Sequence, residues 1–184
     1  MSELLDSAQK KELLRLARKA LKAELEGAQP SVDKGALDER LRQSRGVFVT
    51  LYRDEQLRGC IGTLTGTQPL YAAVQEMVTQ SALHDPRFPP VTADEVDRLR
   101  IEISVLSPPE KVDSAENIIL GRHGVMVCQG GRRGVFLPQV AVETGWSKEQ
   151  FLDNLCAQKA GIDPRSWREG NCELYVFSAE VCAE

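Results

Sequence analysis

Long apolar runs are missing from this chain. No stretch approaches the ~18 residues that a membrane span requires, and the opening MSELLDSAQKKELL is too polar for a secretory signal. An excess of positive charge is missing too: 23 basic against 27 acidic residues leave a net charge of −4. Nothing in that balance favours DNA, RNA or an anionic membrane as a partner. Histidine is scarce, with only His84 and His123, and neither has an acidic partner at ligand spacing, so no metal site is expected. The five cysteines, Cys60, Cys128, Cys156, Cys172 and Cys182, contain no CxxC pair. That excludes a zinc ribbon. The odd number, without an export signal, favours free thiols over a disulfide framework. Nothing points to a cofactor. What remains is an ordinary globular composition, 42% apolar and 27% charged, in 184 residues. The expectation is one soluble, cytoplasmic domain over 1–184.

Apolar spacing predicts an amphipathic helix over 7–26, with Leu13, Leu14, Leu16, Ala17, Ala20, Leu21 and Leu25 at helical spacing. Lys10, Lys11, Arg15, Arg18, Lys19 and Lys22 form its basic outer face, which is either a solvated surface or a docking surface for a membrane or a partner. A polar connector over 29–45, with one short helix over 36–42, leads into two strands at 46–52 and 57–64, joined by Arg53-Asp54-Glu55-Gln56. A helix opens at Thr67-Gln68-Pro69 and ends at the proline-rich His84-Asp85-Pro86-Arg87-Phe88-Pro89-Pro90. Thr92 and Glu95 form a capping box for a short helix, and 100–107 alternates as a strand. A hairpin over 124–137 turns at Gly130-Gly131. Ser147 and Gln150 cap a helix to about Ala160, with Gly161 as its stop, and a strand over 172–182 follows. Hairpins and helices without strict strand–helix repetition argue for an α+β fold with mostly antiparallel sheet and flanking helices.

Leu57-Arg58-Gly59-Cys60-Ile61-Gly62 is unusual for a strand, because two glycines cost entropy and leave little to pack. Strand parity places Arg58, Cys60 and Gly62 on one face and Leu57, Gly59 and Ile61 on the other. Arg58 then biases the Cys60 thiol toward thiolate, and Gly62 lets a ligand approach the main chain. The competing account is a small buried cysteine between glycines that allow close packing or a bulge. Both accounts stand on the residues alone.

The hexapeptide LRGCIG, with GVFVTL before it and DPRFPPV, ISVLSPPE, GRHGV and LPQVA after it, resembles the AMMECR-type domain family over residues 46–177. Bacterial and archaeal members of that family include protein A of the AmmeMemoRadiSam system. The resemblance implies an α+β fold with a larger and a smaller subdomain around a cleft. It also implies a cytosolic setting beside a Memo-like protein and a radical S-adenosylmethionine enzyme. The suspected site falls on 57–62, so that Arg58, Gly59 and Gly62 become ligand contacts and Cys60 a catalytic candidate. Asp85, Arg87 and Phe88 match a second element of the family; His123 and Gly124 match a third, and the LPxVA element matches 137–141. His84 sits where the family varies.

Among the other candidates, His123 either caps its turn or acts as a base toward Cys60. Asp85 and Arg87, in a proline-locked loop, either present a charged pair to a ligand or organise their own turn. Glu102 lies on the polar parity of its strand and is a candidate proton carrier. Gly130-Gly131-Arg132-Arg133-Gly134 lacks the strand–loop–helix context of a phosphate loop and reads as a hairpin tip. Cys128 and Cys156 read as inert core thiols. Two functions follow: an enzyme or enzyme subunit handling a small polar or anionic metabolite, or a non-catalytic partner-binding or regulatory module. Nucleic-acid binding is disfavoured by the acidic balance.

Overall fold

The computed structural model describes residues 4–28, 30, 32–33 and 35–184; Gln29, Ser31 and Lys34 of the predicted connector lie outside the described residues. The chain forms two compact units. The larger runs to Leu106 and takes back Glu180–Glu184, and the smaller is Ser107–Ala179.

In the larger unit, helix α1 (Ser7–Leu25) starts at a reciprocal capping box between Asp6 and Gln9. A short α2 (Glu39–Arg42) follows. Strands β1 (Val47–Arg53) and β2 (Gln56–Thr63) form an antiparallel hairpin. The predicted four-residue link is in fact a two-residue turn. Asp54 and Glu55 both adopt positive φ, 50° and 60°, as a type I′ turn demands. Aspartate tolerates that conformation but glutamate rarely holds it, so each strand runs one residue further into the turn than the sequence suggests. Helix α3 (Leu70–Leu83) comes next, then a 3-10 turn (Ala93–Arg98) closed by the Thr92–Glu95 capping box, and then β3 (Leu99–Leu106). Strand order is β2-β1-β3-β8, where β8 is Ala179–Ala183.

Alternation along β1 and β3 sends Val47, Val49, Leu51, Ile101, Ile103 and Val105 to one face, all fully buried. Leu13, Leu16 and Leu21 of α1 and Leu70, Val74 and Val78 of α3 share that core. Burying side chains of this size stabilises by roughly 1.5–3 kcal/mol each. The opposite face carries Phe48, Thr50, Tyr52, Glu102 and Ser104 by the same period of two.

The smaller unit holds the sheet β4-β7-β5-β6, from β4 (Glu110–Val112), β5 (Gly124–Gln129), β6 (Arg132–Phe136) and β7 (Glu173–Phe177). Two short helices, α4 (Pro138–Thr144) and α5 (Lys148–Asn154), accompany it, and α5 runs on as a π-helical stretch, Leu155–Ala160. The single strand predicted over 172–182 is corrected to two. It breaks at Ser178, whose N–H donates to Ser107 Oγ and whose carbonyl accepts from Ser107 N–H, each at 2.9 Å. No described helix is long and apolar enough to cross a membrane.

Candidate functional site

The parity expected for LRGCIG is broken by a bulge. Leu51 pairs with Gly59 and Tyr52 with Leu57, which leaves Arg58 as an extra residue in β2. The consequence is a correction: Arg58 does not share a face with Cys60. Its Nε and Nη2 donate to the two Glu95 carboxylate oxygens at 3.2 and 3.0 Å, and Nη1 donates to the Pro89 carbonyl at 2.8 Å. Glu95 also accepts from Arg53 Nη1 at 2.7 Å and from Thr92 N–H at 3.0 Å. This ring of donors, the Arg58 guanidinium foremost, overcomes burial and holds the Glu95 carboxyl down at about 2. Arg53, Asp54, Gln56, Leu57, Arg58 and Phe88 line an open depression of about 410 Å³ beside it.

Cys60 stands opposite Thr50, which in turn stands opposite Glu102 on β3. The three form one row across the face away from α1 and α3. With strands ~4.8 Å apart, the Cys60 and Glu102 backbones are ~10 Å from each other. The Thr50 hydroxyl donates to Cys60 Sγ at 3.3 Å. Glu102 faces Arg100 at 3.7 Å, and the Arg100 guanidinium lies 4.5 Å from the Tyr52 ring centre.

The Cys60 backbone is held from outside the sheet. Its N–H donates to Asp85 Oδ2 at 2.8 Å, and its carbonyl accepts from Arg87 Nη2 at 3.1 Å. Asp85 and Arg87 are themselves paired, through Nε to Oδ1 at 2.9 Å and Nη2 to Oδ2 at 2.7 Å. Asp85 is buried, and the Arg87 guanidinium, helped by the Cys60 and Arg87 N–H groups, holds its carboxyl well below the usual range. Arg87 is raised in turn, mainly by Asp85 and also by the adjoining Cys60 side chain. The cation beside the thiol is therefore Arg87, where sequence parity had nominated Arg58.

Both glycines of the motif admit neighbours in the protein itself. A Cβ on Gly59 would lie 2.1 Å from the Ser81 carbonyl oxygen of α3, and one on Gly62 would lie 2.3 Å from the Phe48 ring. Ser81 completes the junction. Its Oγ accepts from Ile61 N–H and donates to the Val49 carbonyl, both at 2.8 Å. Helix α3 thus rests directly on the backbone of β2.

His123 belongs to the smaller unit. Its Nδ1 accepts from Ile119 N–H at 3.2 Å, and its own N–H donates to the Ile119 carbonyl at 2.9 Å. Burial, with Arg122 nearby, lowers its pKa, so the ring is neutral and free to accept. The basic face of α1 meets acidic partners: Lys10 pairs with Glu180 at 2.5 Å, Arg15 with Glu12 at 2.6 Å, Lys22 with Asp97 at 2.8 Å, and Arg18 with Glu184. Among the described residues, no group of three or more His, Cys, Asp or Glu is placed to hold a metal ion.

Sequence reasoning missed Thr50, Ser81 and the site role of Glu95. A threonine in a strand carries no signal, and Glu95 showed only as a capping residue. Ser81 did leave a trace, as a polar residue on the apolar face that includes Met77, Val78 and Ala82.

A model of the AMMECR1 family matches residues 14–182. A protein of Methanopyrus kandleri is 43% identical, over 100% of this chain and 92% of its own length. A protein of Methanothermobacter thermautotrophicus is 40% identical, over 94% of this chain and 92% of its own. The crystal structure of an uncharacterized protein from Pyrococcus horikoshii superposes with a TM-score of 0.91 at 38% identity, covering 99% of this chain and 94% of that one.

Proposed function

The chain belongs to the AMMECR1 family, and we propose that it handles a small polar or anionic metabolite, as an enzyme or enzyme subunit, on the sheet face that carries Cys60. One observation carries this reading: the backbone of a single half-buried cysteine is clamped on both its N–H and its carbonyl by an ion pair between the buried Asp85 and the exposed Arg87. Fixing one thiol this tightly is what a positioned nucleophile or ligand contact requires. In this reading Cys60 meets the ligand, Thr50 orients its sulfur, and Arg87 supplies positive charge to an anionic group. Glu102, in the same row, carries the proton. Arg58 and Glu95 brace the strand, and Gly59 and Gly62 admit α3 and Phe48. The pathway, with a Memo-like protein and a radical S-adenosylmethionine enzyme as neighbours, and the cytoplasmic location are proposed on the family resemblance alone.

A second reading, a partner-binding module, is favoured by Val142 and Ile119, 73% and 50% exposed on the smaller unit. Nucleic-acid binding is disfavoured by the net charge of −4 and the paired basic residues of α1.

Alkylation of each cysteine in the native protein against pH, read by peptide mass spectrometry, tests the first reading. Cys60 is expected to react in the folded state, several-fold more slowly in Arg87→Ala and at an unchanged rate in Arg58→Ala. A Cys60 that stays unreactive until the protein unfolds removes the first reading and leaves the second.

A further inference from the structure

The turn and the bulge of the β1–β2 hairpin meet at one place, away from Cys60. Arg53 continues the parity of Val49 and Leu51, so it lies on the face opposite the row of Cys60, Thr50 and Glu102. The extra residue Arg58 reaches the same carboxylate as Arg53, that of the buried Glu95. Two guanidiniums thus share one anion. Arg58 is fully engaged: its Nε, Nη1 and Nη2 donate to Glu95 and to the Pro89 and Pro90 carbonyls. Arg53 is not. Its Nη1 goes to Glu95, but its Nε lies 3.7 Å from Asp54, beyond hydrogen-bond reach, and its Nη2 has no partner among the described residues. Glu55 accepts from Arg100 at 3.3 Å, which leaves Asp54, 84% exposed, as the acidic group beside that open edge.

Arg53 borders the open depression of about 410 Å³. Leu57, 39% exposed, and the half-buried Phe88 give it an apolar wall. Phe88 is held in place, with its N–H donating to the Asp85 carbonyl at 3.1 Å and the Arg87 guanidinium 5.5 Å from its ring centre. The rim carries strain, because Asp54 and Glu55 both sit at positive φ. Strain of this kind gathers at ligand clamps, and bulges re-aim side chains beside active sites.

We propose that this depression binds a small organic carboxylate with an apolar body, its carboxylate received by Arg53 Nε and Nη2 and its body laid against Leu57 and Phe88. The Nε–Nη2 edge of a guanidinium presents two parallel N–H donors, a fork that one carboxylate fills with both oxygens. Asp54 is the right chemical group at the wrong distance, a weak internal competitor for that fork. The ligand displaces it, and an exposed side chain turns to water at little cost. The volume lies near the lower end of the roughly 300–1,000 Å³ typical of ligand sites, which limits the body to about one ring or one branched chain. The site uses the face opposite Cys60, so it stands or falls independently of the chemistry proposed there.

The test titrates the intact, isotope-labelled chain with benzoate and follows amide chemical shifts by NMR. Benzoate is expected to shift the amides of Arg53, Asp54, Leu57, Arg58 and Phe88 and to saturate. Acetate, the charge without the body, should bind several-fold more weakly, and benzylamine, the body with the opposite charge, should leave those amides unmoved. Asp54→Asn removes the competing charge with a residue that suits positive φ, and it is expected to bind benzoate several-fold more tightly. Arg53→Gln is expected to lose the binding. A tripeptide ending in phenylalanine with a free carboxyl terminus separates two sources of such an anion: tighter binding than benzoate makes the ligand a peptide end, weaker binding a free acid. Benzoate and benzylamine acting alike, shifts lying away from the hairpin end, or an Asp54→Asn that binds no more tightly than the parent overturns the proposal. The parent and Asp54→Asn decide the matter even where Arg53→Gln, which also loses a Glu95 contact, fails to fold.

Discussion

The Asp85 carboxylate accepts the Cys60 main-chain N–H at 2.8 Å, from a residue that is itself buried and paired with Arg87. An edge strand normally leaves such groups to water or to another chain. Here an Asp–Arg pair takes the place of a neighbouring strand at one residue. Asp85→Ala removes the acceptor and strands the Cys60 N–H, with an expected loss of roughly 2–3 kcal/mol. Arg87→Ala, at a side chain 55% exposed, is expected to cost only about 1 kcal/mol. Urea unfolding with an unchanged m-value measures both, and equal costs would contradict this division of labour.

Gly59→Ala sets a methyl group 2.1 Å from the Ser81 carbonyl oxygen. Neither atom sits on a rotatable side chain, so α3 has to move off the sheet. The expected cost is roughly 3 kcal/mol. Gly35→Ala is the control. Its methyl group meets only Asp33 Oδ1, at 3.4 Å, and the change should stay within about 0.5 kcal/mol.

Ser81→Ala deletes the hydroxyl that joins Ile61 N–H to the Val49 carbonyl. A loss of roughly 1–2 kcal/mol is expected, with faster hydrogen exchange at the Ile61 amide. Unchanged protection there would mean that the bridge contributes nothing to the hairpin.

Stability should fall in acid for a local reason. Glu95 titrates near 2 when folded, against an unfolded value of ~4.3. A depressed folded value means the contribution is complete above roughly pH 5 and disappears as the pH drops toward 2. Asp85 acts in the same direction. Glu95→Gln is expected to be less stable than the parent at pH 7 and to show a flatter loss between pH 5 and 3, measured by urea midpoint at each pH.

Much of the molecule was legible in its residue order. The period of 3.6 in α1 and the period of 2 in β3 both follow from which residues are apolar, and the capping boxes at Thr92 and Ser147 are local geometry. The 172–182 run reads as one strand because its residues favour extended backbone throughout. Its division between two sheets is made by Ser107, 71 residues away. The β1–β2 turn is hidden in the sequence because glutamate, not glycine or asparagine, follows Asp54 at the second positive-φ position.

For the site, the residues determined by themselves that 57–62 is an abnormal strand with a cysteine at its centre. Only the tertiary structure decided which charges it meets. Parity counts residues on one strand, and a single extra residue at Arg58 reverses it. The bulge gives Arg58 to Glu95, 37 positions along, and the proline-locked loop brings Arg87 to Cys60 instead. Pairings of that kind depend on where separate elements pack, which no local spacing encodes.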